Sequence, residues 1–429
     1  MESCKPRVVS PTPNTRIAAP SMKLIFNTRR PRSTTGGSIL STRKLDARAC
    51  SGLALVAVLT GALSAPVSAQ ESRPDQVFVI NVRSGSVVAN SGSVTVNGLD
   101  EVTIERSGGA EQSFKSERVR NVIFGDVPVS YREGILLRDR NDRFNAAAKF
   151  KLAAADEDAR EVVRASARLL AAEMLLVHGA VDASAYADAD TAATRFIEEH
   201  SANREMPRAR FVQAQARLAQ GQFASAAELF GALFNETSGV DPKEGYDPYA
   251  CTIAGLRAAD SFLMAKDTLA AREIYSALEA KLPGIIAALD EDDSTRNKWI
   301  SAQSEARLGE GFVLLAAGSA GQSRAFFDQQ TTDADSPAAL RFGVRLGNGL
   351  VHLAEGNYRR AQFELATVSS IDHTDRNRAA RALIGLAQSA LNLPDTGGRT
   401  QAKSWLQSVL DHYPDTIWVH SAQELIQTL

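Results

Sequence analysis

The sequence predicts a mainly α-helical chain: an α-solenoid of about six or seven irregular helix hairpins, preceded by a small antiparallel β module. Three observations lead to this prediction. A short apolar run near the amino terminus has the features of an export signal. Residues 76–124 alternate apolar and polar residues with a period of two, as half-buried strands do. From residue 141 onward, a turn followed by an alanine-rich helix recurs. We therefore divide the chain into residues 1–69, 70–129 and 130–429.

The charge is distributed unevenly along the 429 residues. The formal net charge is −2, but residues 1–69 hold ten of the 48 Lys and Arg residues and only two of the 50 acidic ones. The remainder is therefore acidic, with a net charge of −10. An acidic body disfavours nucleic acid as the main partner, since phosphates bind to basic patches. It also disfavours tight binding to anionic lipid.

The amino-terminal apolar run spans residues 53–63 (LALVAVLTGAL), which is too short to cross a bilayer comfortably. Basic residues precede it, and a small-x-small tripeptide, residues 67–69 (VSA), follows it. These are the parts of a secretory signal. We expect cleavage after Ala69, which leaves Gln70 first, and a periplasmic, cell-envelope or secreted protein with no membrane span. An uncleaved anchor helix is the alternative, and Met22 is a second possible start.

Only one of the three cysteines follows the predicted cleavage site. Cys4 and Cys50 precede it, so the mature chain keeps Cys251 alone and forms no intramolecular disulfide. Cys251 lies in a stretch rich in alanine and leucine. We therefore predict a small buried apolar residue and not a reactive thiol.

The β module contains five short segments that alternate apolar and polar residues. They are residues 76–82, 93–96, 101–106, 112–115 and 119–124. Asn97-Gly98 and Gly108-Gly109 mark turns between them. We expect a small antiparallel barrel or curled sheet that packs on the first helices, because so few strands bury little area alone. A structural cap or docking surface is the expected role, and a ligand-binding barrel is the alternative.

The helical part is marked by a recurring turn, an aromatic residue and an alanine three positions later. The clearest copies are residues 141–147 (NDRFNAA), 221–226 (GQFASA) and 356–361 (GNYRRA). Weaker copies begin near residues 192, 266, 318 and 397. The turn ends one helix, and the small alanine lets the two helices of a hairpin approach closely. Residues 417–429 can form a last amphipathic helix that seals the end of the array.

This pattern resembles the tetratricopeptide repeat over about residues 131–414. The family's small first-helix position is matched by Ala214, Ala259, Gly311 and Gly349, and its second-helix alanine by Ala147, Ala226, Ala271, Ala361 and Ala402. The copies are spaced 37–52 residues apart instead of a constant 34, and the family's tryptophan is absent. The resemblance implies a right-handed superhelix whose first helices line a concave surface that binds peptides or proteins. A solenoid of other helix hairpins is the structural alternative.

The same alignment gives the predicted binding residues, which occupy inward-facing first-helix positions. They are Arg208, Phe211, Gln215, Asp260, Glu305 and Phe312. The leading hypothesis is an exported, non-catalytic scaffold for a protein or peptide ligand. The alternatives are a cell-envelope assembly component docked through the β module and a hydrolase with an unrecognised site.

Sequence motifs of known chemistry are absent. The chain has no phosphate loop, no H-E-x-x-H, no C-x-x-C and no G-x-S-x-G, and no two of its six histidines are three or four residues apart. The acidic residues 290–293 lack the glycine and terminal glutamate of a calcium loop. We therefore predict no catalytic residue, metal or cofactor. A scaffold predicts a long groove, an assembly component an exposed apolar patch on the β module, and an enzyme a deep pocket of converging polar residues.

Overall fold

The computed structural model describes residues 73–81, 85–238, 245–330, 332–372, 375–394 and 396–429, which all belong to one compact unit, Ala69–Leu429. The predicted export signal and its cleavage site lie outside the described residues. Within them, a five-stranded antiparallel sheet precedes fifteen α-helices. The predicted fold class is confirmed. In this described part of the chain, none of the helices is both long and apolar enough to cross a membrane.

The longest strand of the sheet, β2 (Val87–Asn97), pairs with a different neighbour along each half of its length. The other strands are β1 (Asp75–Ile80), β3 (Glu101–Glu105), β4 (Glu111–Lys115) and β5 (Val119–Ile123), and the order in the sheet is β4-β3-β2-β1-β5. The first half of β2 pairs with β1 and the second half with β3. The register shifts between Val94 and Val96, which adds local twist. The predicted small antiparallel sheet is confirmed; β4 and β5 are its edges, so it is not closed into a barrel.

The helices form seven successive hairpins and a final single helix. They are α1 (Val129–Asp139), α2 (Arg143–Ala154), α3 (Glu161–His178), α4 (Ala185–Glu199), α5 (Met206–Ala219), α6 (Phe223–Ser238), α7 (Pro248–Met264), α8 (Thr268–Ala287), α9 (Arg296–Ala316), α10 (Ala320–Gln329), α11 (Ala338–Ala354), α12 (Tyr358–Ile371), α13 (Arg376–Leu391), α14 (Gly398–His412) and α15 (Val419–Gln427). Each helix packs mainly on its neighbours in sequence, as in a solenoid.

The recurring turn has a common backbone conformation. The residue that ends the first helix has a positive φ in five hairpins, at Asn141, Gly221, Lys266, Gly318 and Gly356. This left-handed conformation favours glycine and tolerates asparagine. In two of these turns the next residue is an aspartate whose side chain accepts a hydrogen bond from the new helix. The turn motif therefore both stops one helix and starts the next.

Small residues allow the helices to pack closely. A Cβ atom added at Gly311 would lie 2.5 Å from the ring of Phe327, and one added at Gly349 would lie 2.7 Å from Leu365. Substitution there would force neighbouring side chains apart. Unlike the alanines, the aromatic residue of the first copy is not buried. Phe144 is 60% exposed, and its ring centroid lies 5.3 Å from that of His178.

The last helix closes the array on itself. Helix α15 packs on α14, as an end-sealing helix should, but it also reaches back to the second and third hairpins. His420 Nδ1 lies 3.1 Å from the carbonyl oxygen of Ala219, and Gln423 Nε2 donates to that of Gly179 at 3.1 Å. Val419 is buried in the same core as helices α2 to α5. The carboxyl-terminal end of the array is thus joined to its amino-terminal half.

A buried ion pair fixes the β module to the helices. Asp75, 1% exposed, accepts hydrogen bonds from the backbone N–H groups of Val94 and Gly125, both at 2.7 Å. The guanidinium of Arg160, which immediately precedes α3, donates to both oxygens of Asp75 at 2.6 and 2.8 Å. Burying a carboxylate costs free energy. These hydrogen bonds and the ion pair with Arg160 offset that cost for Asp75.

A second contact holds the β2–β3 turn against the loop between α4 and α5. The N–H of Leu99 donates to the carbonyl of Ala202 at 2.8 Å, and the N–H of Arg204 donates to that of Asn97 at 2.9 Å. The side chain of Arg204 also donates to the carbonyl of Val119 in β5. The sheet therefore lies beside the inner helices α3 and α5, where it forms one wall of a groove.

Candidate functional site

A groove of about 910 Å³ lies where the β module meets α3, α5 and α7. The sheet contributes the end of β1 and the start of β5, and the segment 245–253 contributes the side toward α7. Asp415, from the segment between α14 and α15, also lines it. This volume is at the upper end of the range for ligand sites in proteins, about 300–1,000 Å³. The groove is large enough for an organic molecule or a short stretch of polypeptide.

One wall of the groove is apolar and aromatic. Phe211 of α5 packs edge-on against Phe230, with 5.1 Å between ring centroids. Tyr249 of α7 packs in the same way on Trp299 at 5.1 Å, and the ammonium of Lys298 lies 4.3 Å from the tyrosine ring. These contacts hold the aromatic rings in fixed orientations, which reduces the entropy lost when they bind a ligand.

The groove lining also carries four side chains of alternating charge, around the start of α5 and on α3. Arg204 pairs with Glu205 at 3.0 Å, Glu205 pairs with Arg208 at 3.2 Å, and Arg208 donates to Glu173 at 2.6 Å. Burial raises the pKa of Glu173 and lowers that of Arg204. About half of the Arg208 side chain remains exposed, at 51%, so it keeps donors available to a ligand in the groove.

The sheet side of the groove contributes charges of both signs. Glu117 and Arg120 are exposed, and within the described residues neither makes an ion pair. The buried Cys251 also borders the groove, and burial raises the pKa of its thiol to about 11. Cys251 is thus a small buried residue, as predicted.

A second, much smaller cavity lies among the inner helices of the later hairpins, and we call it the ionic pocket. Arg257 NH1 donates to Asp260 at 2.8 Å and to Glu305 at 2.9 Å, and the hydroxyl of Tyr275 donates to Asp260 at 2.8 Å. Asp375, also on the pocket wall, is paired with Arg378. The cavity measures about 40 Å³, which is room for one or two water molecules.

In the ionic pocket, the pKa of Glu305 is shifted toward neutrality. Burial raises its pKa to about 7, while Arg257 acts in the opposite direction and two nearby aspartates add to the rise. A carboxyl group with a pKa near neutrality is a feature of many active sites. However, the pocket has no space for a substrate, and its lining residues include no histidine, serine, cysteine or lysine. The geometry therefore favours a structural role for this cluster.

The raised pKa of Glu305 makes stability depend on pH. The folded chain holds a proton that the unfolded chain releases above its ordinary pKa of about 4.5. The stabilisation that this proton provides is present in full below pH 4.5, and it is lost as the pH rises through about 7. We expect Glu305→Gln to reduce the loss of stability between pH 5 and pH 8 in urea unfolding. Glu310→Gln, an exposed matched change, should leave that loss unaltered. An equal loss in both variants would contradict this assignment.

Several charged or titratable groups surround Glu305 and interact with it electrostatically. They are Arg257 and Asp260 of α7, Tyr275 of α8, and Asp375, Arg378 and Arg381 around the start of α13. The guanidinium of Arg381 lies 4.2 Å from the ring of Phe312 and 4.9 Å from that of Trp418. An aromatic face attracts a cation more strongly when water is excluded from the contact.

The segment 412–418, which we call the strap, separates the groove from the ionic pocket. Asp415 borders the groove, whereas Trp418 lines the pocket. The strap is held by Gln215 of α5 on one side and by Arg376 and Asn377 of α13 on the other. The predicted long groove is therefore replaced by two cavities, and strap residues line both of them.

The six predicted binding residues fall into two groups. Arg208, Phe211 and Gln215 lie together along the groove, and Asp260, Glu305 and Phe312 lie together in the ionic pocket. Sequence analysis missed Glu173, Tyr249, Lys298 and the sheet residues of the groove. Their position depends on how the β module docks, which the helical periodicity does not encode.

Among the described residues, no group of three or more His, Cys, Asp or Glu side chains is placed to hold a metal ion. In comparisons with known proteins, no family model matches the chain. No curated protein matches it either.

Proposed function

We propose that this protein is an exported, non-catalytic scaffold that binds short segments of other proteins in the groove. The observation that carries the proposal is the groove itself, where aromatic side chains and fixed charges of the helices lie beside the β module. We also assign the hairpins to the tetratricopeptide class. Their shared left-handed turns and small interhelical residues support that assignment.

A polypeptide segment suits both the aromatic and the charged parts of the groove lining. A segment in extended conformation places successive side chains on opposite sides, so that apolar ones can contact Phe211 and Tyr249. Its backbone carbonyl groups can accept hydrogen bonds from Arg208, whose side chain is half exposed. An interface with an aromatic centre and a polar rim is the usual arrangement in protein recognition.

Peptides selected from a random displayed library against the mature chain provide the test. We expect Phe211→Ala to weaken the binding of selected peptides by about ten-fold or more, as loss of an aromatic anchor does. Arg120→Glu should shift the preference of the chain toward more basic peptides. Phe363→Ala is the matched control, since Phe363 is 68% exposed and does not line the groove.

Peptide affinities measured by fluorescence anisotropy decide the result, with thermal melting to confirm that each variant is folded. Failure of the library to yield any binder would contradict the proposal. Equal losses for Phe211→Ala and Phe363→Ala would place the binding surface elsewhere.

A second candidate, an assembly component docked through the β module, is favoured by apolar residues on the sheet surface. Val87, Val88 and Ile123 are 51%, 46% and 49% exposed, and β5 is an edge strand. Unpaired edges with apolar side chains are common docking sites. An Ile123→Glu variant that loses an envelope partner but keeps peptide binding would favour this candidate.

Export is part of the same proposal and is supported by the sequence of residues 43–69. Amino-terminal sequencing of the exported chain should find Gln70 first. A chain that retains residues 53–63 would instead support the anchor helix.

A further inference from the structure

Two cations that line the groove have no carboxylate partner among the described residues. They are Lys298 of α9, whose ammonium lies 4.3 Å from the centroid of the Tyr249 ring, and the exposed Arg120 of β5. We propose that the groove selects acidic segments of partner proteins, in which a carboxylate binds Lys298 and an apolar neighbour packs on the aromatic part of the lining. This inference rests on the proposed function and names the charge of its ligand.

Most of the acids in the groove lining already have a partner. The carboxylates of Glu173 and Glu205 share Arg208, at 2.6 and 3.2 Å. Asp415 accepts hydrogen bonds from Arg376, which does not line the groove and whose Nε lies 3.0 Å from both carboxylate oxygens. Because these three carboxylates are compensated where they stand, they leave the other cations of the groove available to a ligand.

The other two acids of the lining are Asp247 and Glu117. Asp247 accepts the backbone N–H of Tyr249 at 3.0 Å and caps α7, where the positive end of the helix dipole stabilises its charge. Glu117 is exposed, and within the described part of the chain it makes no ion pair. The groove therefore holds two uncompensated cations, Lys298 and Arg120, against one uncompensated acid.

Tyr249 holds Lys298 in a position to bind a carboxylate. The ring of Tyr249 packs edge-on against the buried Trp299, with 5.1 Å between ring centroids. An ammonium has three N–H donors, and those directed away from the ring need another acceptor. A carboxylate on that side can bind the ammonium without displacing the ring, and its charge makes this hydrogen bond stronger than one to a neutral acceptor.

The apolar part of the lining adds a second requirement. Phe211, Met174 and Val177 border the same groove. A segment in which apolar or aromatic residues flank the acid can bury those side chains while its carboxylate binds Lys298. We therefore expect a ligand that is both acidic and partly apolar.

The acidity of the chain as a whole opposes such a ligand only weakly. The residues after position 69 carry a net charge of −10. Exposed charges more than about 8 Å apart are largely screened at physiological ionic strength. The charges that lie close to the ligand therefore decide its preference.

The test sequences the pool of peptides that the unaltered mature chain selects from the random displayed library. We expect this pool to contain more Asp and Glu, and less Lys and Arg, than the unselected library does. Lys298→Gln should weaken the binding of a selected acidic peptide about five-fold, the upper value for a partly exposed ion pair. Lys298→Arg keeps the charge and should keep the affinity. Lys403→Gln removes an exposed lysine of α14 that does not line the groove, and it should bind like the unaltered chain.

Replacing each acid of the selected peptide by its amide identifies the contact. For the acid that binds Lys298, the loss should be about five-fold on the unaltered chain and absent on Lys298→Gln, as a double-mutant cycle requires of a direct pair. Equal losses on both chains for every acid of the peptide, with each chain confirmed as folded by circular dichroism, would overturn the inference. Lysine 298 would then serve only to hold the tyrosine ring. If the library yields binders without an excess of acids, the inference alone fails. If the library yields no binder, the proposed function fails with it.

Discussion

Replacing Arg257 by methionine is expected to destabilise the folded chain by about 3–5 kcal/mol, the usual loss when one partner of a buried ion pair is removed. The change leaves Asp260 and Glu305 without their shared cation, beside a third carboxylate, Asp375, on the wall of the ionic pocket. The Arg257 side chain is only 8% exposed, so bulk water does not compensate the two carboxylates for its loss. The free energy of unfolding from urea denaturation, followed by circular dichroism, measures the loss.

An exposed ion pair of the same kind provides the control for Arg257. Arg272 pairs with Glu310 at 2.8 Å, but the two side chains are 44% and 39% exposed. Arg272→Met should therefore cost less than about 1 kcal/mol. A loss for Arg257→Met no larger than that for Arg272→Met would show that the inner helices do not depend on the ionic pocket.

Replacing Asp75 by alanine is expected to detach the β module, with a loss of about 3–5 kcal/mol. The change leaves Arg160 without its carboxylate and the N–H groups of Val94 and Gly125 without their acceptor. Hydrogen exchange should accelerate in β1 and β2 and much less in α7 to α13, since the ion pair lies only at the start of α3.

The control for Asp75 is Glu133→Ala. Glu133 pairs with Lys149 at 2.7 Å on the surface, with side chains 45% and 38% exposed. This variant should exchange like the unaltered chain. If Asp75→Ala accelerates exchange uniformly along the chain, the ion pair supports the whole fold and not the attachment of the module.

Local sequence patterns predict the elements of this fold well. Period-two alternation locates the strands because side chains on a strand face alternately inward and outward. The turn before Phe144, Phe223 and Tyr358 locates the hairpins because its left-handed residue ends a helix whatever the helix packs on. These features depend on neighbours in sequence, so one sequence is enough to find them.

The arrangement of the groove and the ionic pocket depends on contacts between residues far apart in sequence. The pairing of Asp75 with Arg160, of Gln215 with Asp415, and of His420 with Ala219 leaves no periodic trace. For this reason the helical pattern placed Phe211 and Glu305 on one continuous inner surface. In the structure the strap separates the groove that contains Phe211 from the ionic pocket that contains Glu305.

The most direct test of the account is to locate a bound segment on the unaltered chain. A selected library peptide carrying a photoreactive group can be cross-linked to the chain, and the modified residues identified by mass spectrometry. The account predicts cross-links to the groove, at Phe211, Tyr249 and Arg120. Cross-links confined to exposed residues that do not line the groove, at Ile123 and Phe363, would contradict it.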